Sequence, residues 1–224
     1  MSRIGVYGGS FNPVHNGHVK LAKAALDELN LDKVLLVPAY RNPLRDVEMF
    51  PAALRVKMLK AAVKGDRRLE VSAVEVQRKG LSFTVDTLRY LKSKSAPGTV
   101  LYFLSGADQP SELKRWKSWS EIPKLCRFVV MSRPGHRVKG LPDGVLHLPF
   151  DALDVSSTDI RGRLKARKPV ADLMPEASLK ALMEYGRKEA EKKSRQDAKK
   201  KQAKAPKKAS KKKKAPNKEK RDRH

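Results

Sequence analysis

GVYGGSFNPVHNGH, residues 5–18, is the stretch on which the reading of this chain turns. An apolar strand, residues 3–6, enters a turn carrying Gly8 and Gly9. The turn delivers His15 and His18 to the mouth of a helix whose apolar residues Val19, Leu21, Ala22, Ala25, Leu26 and Leu29 recur at helical spacing. Glycines let a backbone come close to a ligand, and a helix start offers unpaired N–H groups to an anion. The stretch is neither a G-x-G-x-x-G fingerprint nor a G-x-x-x-x-G-K-[ST] loop, so the two commonest nucleotide-binding readings do not apply. A second segment, VSSTDIR at 155–161, places Ser156, Ser157 and Thr158 at another helix start with Arg161 one turn on. Hydroxyls, free amides and a guanidinium together suit phosphate oxygens. A capping box alone would account for Ser156 and Asp159. Arg161 asks for more, because the helix dipole disfavours a cation in the first turns unless an anion is held there.

Working outward, short apolar runs alternate with helical patterns. The runs predict strands at 3–6, 33–37, 69–76, 100–105, 127–132 and 145–148. Helices are predicted at 17–30, 52–64, 84–94, 111–116, 118–125, 158–166 and 175–188. The alternation implies crossover units and an α/β fold: a Rossmann-like, open, mostly parallel sheet with helices on both faces. Ligands on such sheets bind beyond the carboxyl ends of the strands, where both phosphate-type segments begin.

The H-x-G-H and S-S-T-x-x-R pair resembles the nucleotidyltransferase superfamily, whose members join a nucleoside monophosphate to an acceptor phosphate. Three middle segments, GLSFTVDTL at 80–88, LYFLSGADQPSELKRW at 101–116 and FVVMSRPG at 128–135, extend the likeness to the bacterial nicotinate-nucleotide adenylyltransferases over roughly the first 185 residues. The resemblance implies ATP and nicotinate mononucleotide as substrates and His15, His18 and Arg161 as catalytic residues. It implies ATP contacts from Gly8, Gly9, Ser10, Phe11, His18, Gly106, Asp108, Ser157, Thr158 and Arg161. Acceptor contacts are expected from Thr84, at the pyridine substituent, from Trp116, stacked on the ring, and from Arg45. Packing between helices is the plainer reading of Trp116 with Trp119, and capping is the plainer one of Asp108. Two positions depart from the family pattern: its usual aspartate is Asn12, and Arg45 stands where a phosphate-binding lysine is frequent. Asparagine keeps a carbonyl acceptor for the turn, and arginine keeps the charge in a forked form. Magnesium is implied as an ion carried with ATP, with no protein metal site, since no carboxylate or His/Cys set has ligand spacing. Nicotinamide mononucleotide and phosphopantetheine are the alternative acceptors.

Charge marks off a second region. The chain carries a net charge of +26 over 224 residues, and from 187 to 224 there are 19 Lys or Arg against 5 Asp or Glu. With almost no apolar residue larger than alanine, that stretch cannot offset its ordering entropy by burial. The expected organisation is a nucleotidyltransferase domain at 1–188 and a disordered Lys-rich tail at 189–224. The tail resembles those of chromatin-type proteins and predicts weak, salt-sensitive, non-specific contact with nucleic acid or other polyanions. A polyanion-binding protein with an idle nucleotide fold is therefore the reading from a different class. Absence of an apolar signal region or membrane-length apolar run predicts a cytoplasmic protein with no membrane contact. The single cysteine, Cys126, between Leu125 and Phe128 at the start of an apolar strand, is expected to be a buried structural thiol.

Overall fold

The computed structural model describes residues 1–44, 50–106, 110–132 and 140–209. Six parallel strands form one sheet: β1 (Arg3–Gly9), β2 (Lys33–Pro38), β3 (Leu69–Val71), β4 (Val100–Gly106), β5 (Arg127–Ser132) and β6 (Leu146–Pro149), in the order β3-β2-β1-β4-β5-β6. From β1 the chain winds first toward β3, then returns past β1 to build β4, β5 and β6 on the other side. The reversal opens a crevice at the carboxyl ends of β1 and β4, the place where a doubly wound sheet holds its ligand. The register is tight at β1. A Cβ added at Gly5 would fall 2.8 Å from Val34 Cγ2 and 2.9 Å from Leu31 Cδ1, so glycine is required where β1 packs against its neighbours.

The helices are α1 (Asn16–Glu28), α2 (Ala52–Val63), α3 (Val74–Arg78), α4 (Thr84–Lys94), α5 (Ile122–Leu125), α6 (Ser157–Lys165) and α7 (Glu176–Ala209), with 3-10 turns at Pro110–Arg115 and Trp119–Glu121. One core cluster joins Val6, Leu101, Phe103, Phe128 and Val130 of the sheet to Val85, Leu88 and Leu91 of α4. Each such fully buried side chain contributes about 1.5–3 kcal/mol. Cys126 is buried in this cluster, where desolvation pushes its thiol up to about 12, in keeping with a structural role.

One expectation needs correction. The strand expected at 69–76 stops at Val71, and Val74–Arg78 is a short helix. Glu75 lies on that helix, buried, with its carboxylate accepting from Thr87 Oγ1 at 2.5 Å. The apolar residues Leu69, Val71, Val74 and Val76 favoured a strand, but pairing with β2 ends at Leu36↔Val71, with a last bond from the Ser72 N–H to Leu36 O at 3.0 Å. α7 runs on past the expected domain end at 188 as far as Ala209, and the rest of the expected tail, 210–224, lies outside the described residues. Propensity accounts for the length of α7: alanine, lysine, glutamate, glutamine and arginine are strong helix formers, and extending an existing helix carries no nucleation cost. Pairs one turn apart, Lys188–Glu184 at 2.6 Å and Arg187–Glu191 at 3.2 Å, add a few tenths of a kcal/mol each. The described residues fall into two units that divide between Leu182 and Met183, within α7.

Candidate active site

A cleft of about 960 Å³ opens at the carboxyl ends of β1, β4 and β5. Its walls include Gly8, Gly9, Ser10, Phe11, His15, His18, Thr84, Gly106, Trp116, Ser157, Thr158 and Arg161, so twelve of the fourteen residues expected at the site meet in one cavity. Arg45 and Asp108 lie outside the described residues, as does the RPG end of the FVVMSRPG segment.

The first wall is the turn between β1 and α1. Phe11 has φ of +44°, an uncommon conformation for a residue with a side chain, and its ring is fully buried against Tyr7 at 5.3 Å and His18 at 4.9 Å between centroids. Asn12 follows in a cis peptide with Pro13. Its Oδ1 accepts the Phe50 N–H at 2.8 Å, so the acceptor that replaces the family's aspartate does hold the turn. Gly8 and Gly9 sit with ring carbons of Phe103 and Phe11 at 3.1 Å and 3.3 Å from where a Cβ would be. Their missing side chains make room for aromatic packing beneath the loop.

His15 takes the N-cap position of α1 in extended conformation, and its backbone N–H donates to His18 Nδ1 at 3.1 Å. That bond fixes the tautomer: a neutral His18 with Nδ1 accepting carries its proton on Nε2. The two rings stack with centroids 3.6 Å apart. Burial pulls His15 down to about 4; burial and then the neighbouring His15 charge pull His18 well below 6.5. Both imidazoles are therefore neutral near pH 7, and His18 serves as a hydrogen-bond donor and not as a cation. His15 Nδ1 is buried with no hydrogen-bond partner among the described residues, the sort of exception that gathers at functional sites.

These depressed values make a stability prediction. Because the folded-state pKa of His15, about 4, lies below its ordinary 6.5, the unfolded chain takes up the proton first as pH falls. The associated stability is full above pH 6.5 and is lost between 6.5 and about 4, by at most about 3 kcal/mol. Melting temperature is expected to fall over that interval, and His15→Gln to flatten the profile; an identical profile in the variant would refute the assignment.

The second wall is the start of α6. Ser156 is indeed its cap, with Oγ accepting the Asp159 N–H at 3.0 Å. The next residues face the first wall. Ser157 Oγ donates to Pro13 O at 2.8 Å, and the Arg161 guanidinium donates to Asn12 O at 2.7 Å and Thr158 Oγ1 at 3.2 Å. Segments almost 150 residues apart are thus joined by two side chains, those of Ser157 and Arg161, with the α1 and α6 N-termini on a common cleft. Gly17 lets them approach: a Cβ there would lie 3.0 Å from Val155 Cγ1 and 3.1 Å from His15 Nδ1.

The third wall is apolar and lies toward α4. Thr84 is the first residue of α4, whose N-cap, Phe83, provides no side-chain cap. Trp116 is half-buried and meets Phe103 and Phe128 edge to face, at 5.9 and 5.7 Å between centroids, so it both packs and lines the cleft. The loop after β2 is stitched to this wall by Ser82 Oγ, which accepts the Tyr40 N–H at 2.9 Å.

Sequence reasoning missed Arg55 and Lys117. Arg55 on α2 is 1% exposed and donates to four carbonyl oxygens: Ser10 and Ala39 at 2.7 Å, Phe50 at 3.0 Å and Tyr40 at 3.2 Å. Burial lowers its pKa from the ordinary arginine value, yet a guanidinium stays charged. The available signal was a cation in the stripe Leu54, Met58, Leu59, Val63 of an otherwise apolar helix face. Lys117, beside Trp116 on the cleft wall, sits 4.6 Å from the Phe83 ring centroid and 3.1 Å from Asp86. No run or motif drew notice to it.

Among the described residues there is no group of three or more His, Cys, Asp or Glu that could hold a metal ion, and no helix long and apolar enough to cross a membrane.

Residues 6–163 match the cytidylyltransferase-like family. A protein from Clostridium novyi (strain NT) named "Probable nicotinate-nucleotide adenylyltransferase" is 35% identical over 188 residues, covering 79% of this chain and 94% of its own length. One of the same name from Moorella thermoacetica is 37% identical over 187 residues, covering 78% and 86%. Among solved structures, the Plasmodium falciparum nicotinic acid mononucleotide adenylyltransferase complexed with NaAD shares the fold, with a TM-score of 0.67 at 18% identity over 83% of this chain and 96% of that one. The sheet order, the two phosphate-type helix starts and these likenesses agree: the chain belongs to the cytidylyltransferase-like family and, within it, to the nicotinate-nucleotide adenylyltransferases.

Proposed function

We propose that the chain transfers the adenylyl group of ATP to nicotinate mononucleotide, giving deamido-NAD and pyrophosphate, a step of NAD biosynthesis. A phosphate oxygen of the acceptor attacks the α-phosphorus in line. As that P–O bond forms, the bond from the α-phosphorus to the oxygen bridging to the β-phosphorus breaks, and pyrophosphate leaves. Such a reaction needs no protein nucleophile; it needs positioning and neutralisation of charge. The observation that carries the reading is the meeting of the α1 and α6 N-termini across one cleft, tied by Ser157 and Arg161.

In this reading Gly8–Phe11 and Gly106 border the nucleotide, and His18 Nε2–H, with His15 behind it, donates to phosphate oxygens. Ser157, Thr158 and Arg161 take the triphosphate from the other side. Thr84 and Trp116 receive the pyridine ring, and Asp108 and Arg45 complete the ribose and phosphate contacts. ATP enters with magnesium, which arrives with its substrate and keeps most of its waters. Catalysis belongs to residues 1–188, and a cytoplasmic setting, where ATP is available, belongs to the same proposal.

The test is pyrophosphate release from magnesium and ATP with three acceptors in parallel: nicotinate mononucleotide, nicotinamide mononucleotide and phosphopantetheine. The expected result is a kcat/KM for the nicotinate form at least about tenfold above either competitor, equivalent to about 1.4 kcal/mol of discrimination. A preference for another acceptor would keep the triphosphate cradle and discard the roles given to Thr84 and Trp116.

A further inference from the structure

The charged residues described around the cleft divide between two walls. Asp154, Asp159, Arg161 and Arg163 belong to α6 and the segment leading into it, on the triphosphate side. Glu75, Arg115 and Lys117 remain on the wall toward α4 and Trp116. Glu75 is buried and accepts from Thr87 Oγ1 at 2.5 Å, so that wall holds a carboxylate. Lys117 comes to the start of α4: its ammonium lies 4.6 Å from the centroid of the Phe83 ring and donates to Asp86 Oδ2 at 3.1 Å. Asp86 does not depend on that bond, because Arg89 Nη1 donates to its other oxygen, Oδ1, at 3.2 Å. The ammonium is free to turn on its flexible stem toward another anion while Asp86 keeps a cationic partner.

We propose that Lys117 selects an acceptor whose pyridine ring carries a carboxylate over one whose ring carries the amide, an assignment that rests on the adenylyl transfer proposed above. The two acceptors have nearly the same shape. They differ in charge and in donors: the carboxylate only accepts, whereas the amide also presents an NH2. A wall whose charge came from Glu75 alone would repel the first and suit the second. An ammonium reverses that order, since it has three N–H donors, offers no acceptor to an amide NH2, and pairs charge with charge only in the carboxylate. The Phe83 ring keeps water from one side of the ammonium, which strengthens its attraction for an anion. Position favours Lys117 over Arg115, because Lys117 is the cation held at Phe83 and Asp86, the residues that flank Thr84, where the ring substituent is placed.

The test measures kcat/KM for nicotinate mononucleotide and for nicotinamide mononucleotide with the wild-type enzyme, Lys117→Met and Lys117→Arg, at low and high salt. In Lys117→Met the ratio of the two values is expected to fall at least about tenfold, through a higher KM for the nicotinate form with a smaller change in kcat. Arginine keeps the charge, and Lys117→Arg is expected to keep most of the ratio. The Lys117 side chain is 46% exposed, so added salt is expected to narrow the wild-type ratio and to leave that of the Met variant nearly constant. A Met variant with the wild-type ratio would overturn the role of Lys117. Equal losses toward both acceptors would overturn it too, and would make the side chain a support for the Phe83 wall and nothing more. Failure of the transfer reading is separate and is seen before any variant is compared: a wild-type enzyme that prefers the nicotinamide form, or uses neither, overturns that reading and the Lys117 assignment with it.

Discussion

Replacing His18 with alanine is expected to lower kcat by roughly 10²–10³-fold, the usual cost of deleting one preorganised donor to an oxyanion. The expectation rests on geometry: the His15 N–H occupies Nδ1 of His18 at 3.1 Å, which leaves Nε2–H as the donor. Burial keeps the ring neutral near pH 7, so its donor is in place without a charge to be desolvated when substrate binds. Charge on the transferring phosphoryl group grows on the way to the transition state, and a donor that strengthens there appears in kcat more than in the KM for ATP. The fold should survive, because the ring is only partly buried and its contacts are mostly with Phe11 and His15. Two further variants separate the ring's two atoms. Gln places an amide N–H near the position of Nε2 and is expected to recover part of the rate; Asn reaches only the Nδ1 position and is expected to behave like Ala. Steady-state kinetics at pH 7.5 decides, and a His18→Ala enzyme with unchanged kcat would remove His18 from the phosphate site.

What the sequence made legible follows from the range over which each signal acts. Gly8, His15, His18, Ser157 and Arg161 were readable because each belongs to a local pattern, a strand end or helix start whose backbone groups must find partners. Their meeting in space followed from the alternation of strands and helices, since consecutive motifs on a parallel sheet return to the same edge. The short helix at Val74–Arg78 was not readable, because the same valines serve a strand or a helix and only the end of the β2 pairing decides between them. Nor was Ser157's bond to Pro13, which spans 144 positions and has no local trace. How far α7 runs was not readable for another reason: low apolar content argues against a packed core, while lysine and alanine content favours a helix, and the two tendencies coexist in α7.

Arg55→Met is expected to destabilise the protein by about 4 kcal/mol, among the largest effects of any single substitution outside the cleft. Methionine matches the arginine stem in apolar bulk but leaves the carbonyls of Ser10, Ala39, Tyr40 and Phe50 without the donors they now share. Those carbonyls belong to the loops that build the cleft, and the connection runs on from each of them. Phe50 presents its N–H to Asn12 Oδ1, and Asn12 O receives Arg161. Tyr40 presents its N–H to Ser82 Oγ, next to the wall that ends in Thr84. One buried guanidinium therefore underlies both the wall that carries Arg161 and the wall that carries Thr84. Its loss should raise the KM for ATP and lower kcat even at temperatures where the variant is fully folded. Arg55→Lys keeps the charge but cannot reach four oxygens in a fork, so an intermediate loss, about half that of Met, is expected. Urea unfolding with an unchanged m value would report the stability term, and kinetics well below the midpoint would report the positioning term. If the Met variant lost stability but kept wild-type kcat and KM when folded, Arg55 would be a core residue and nothing more.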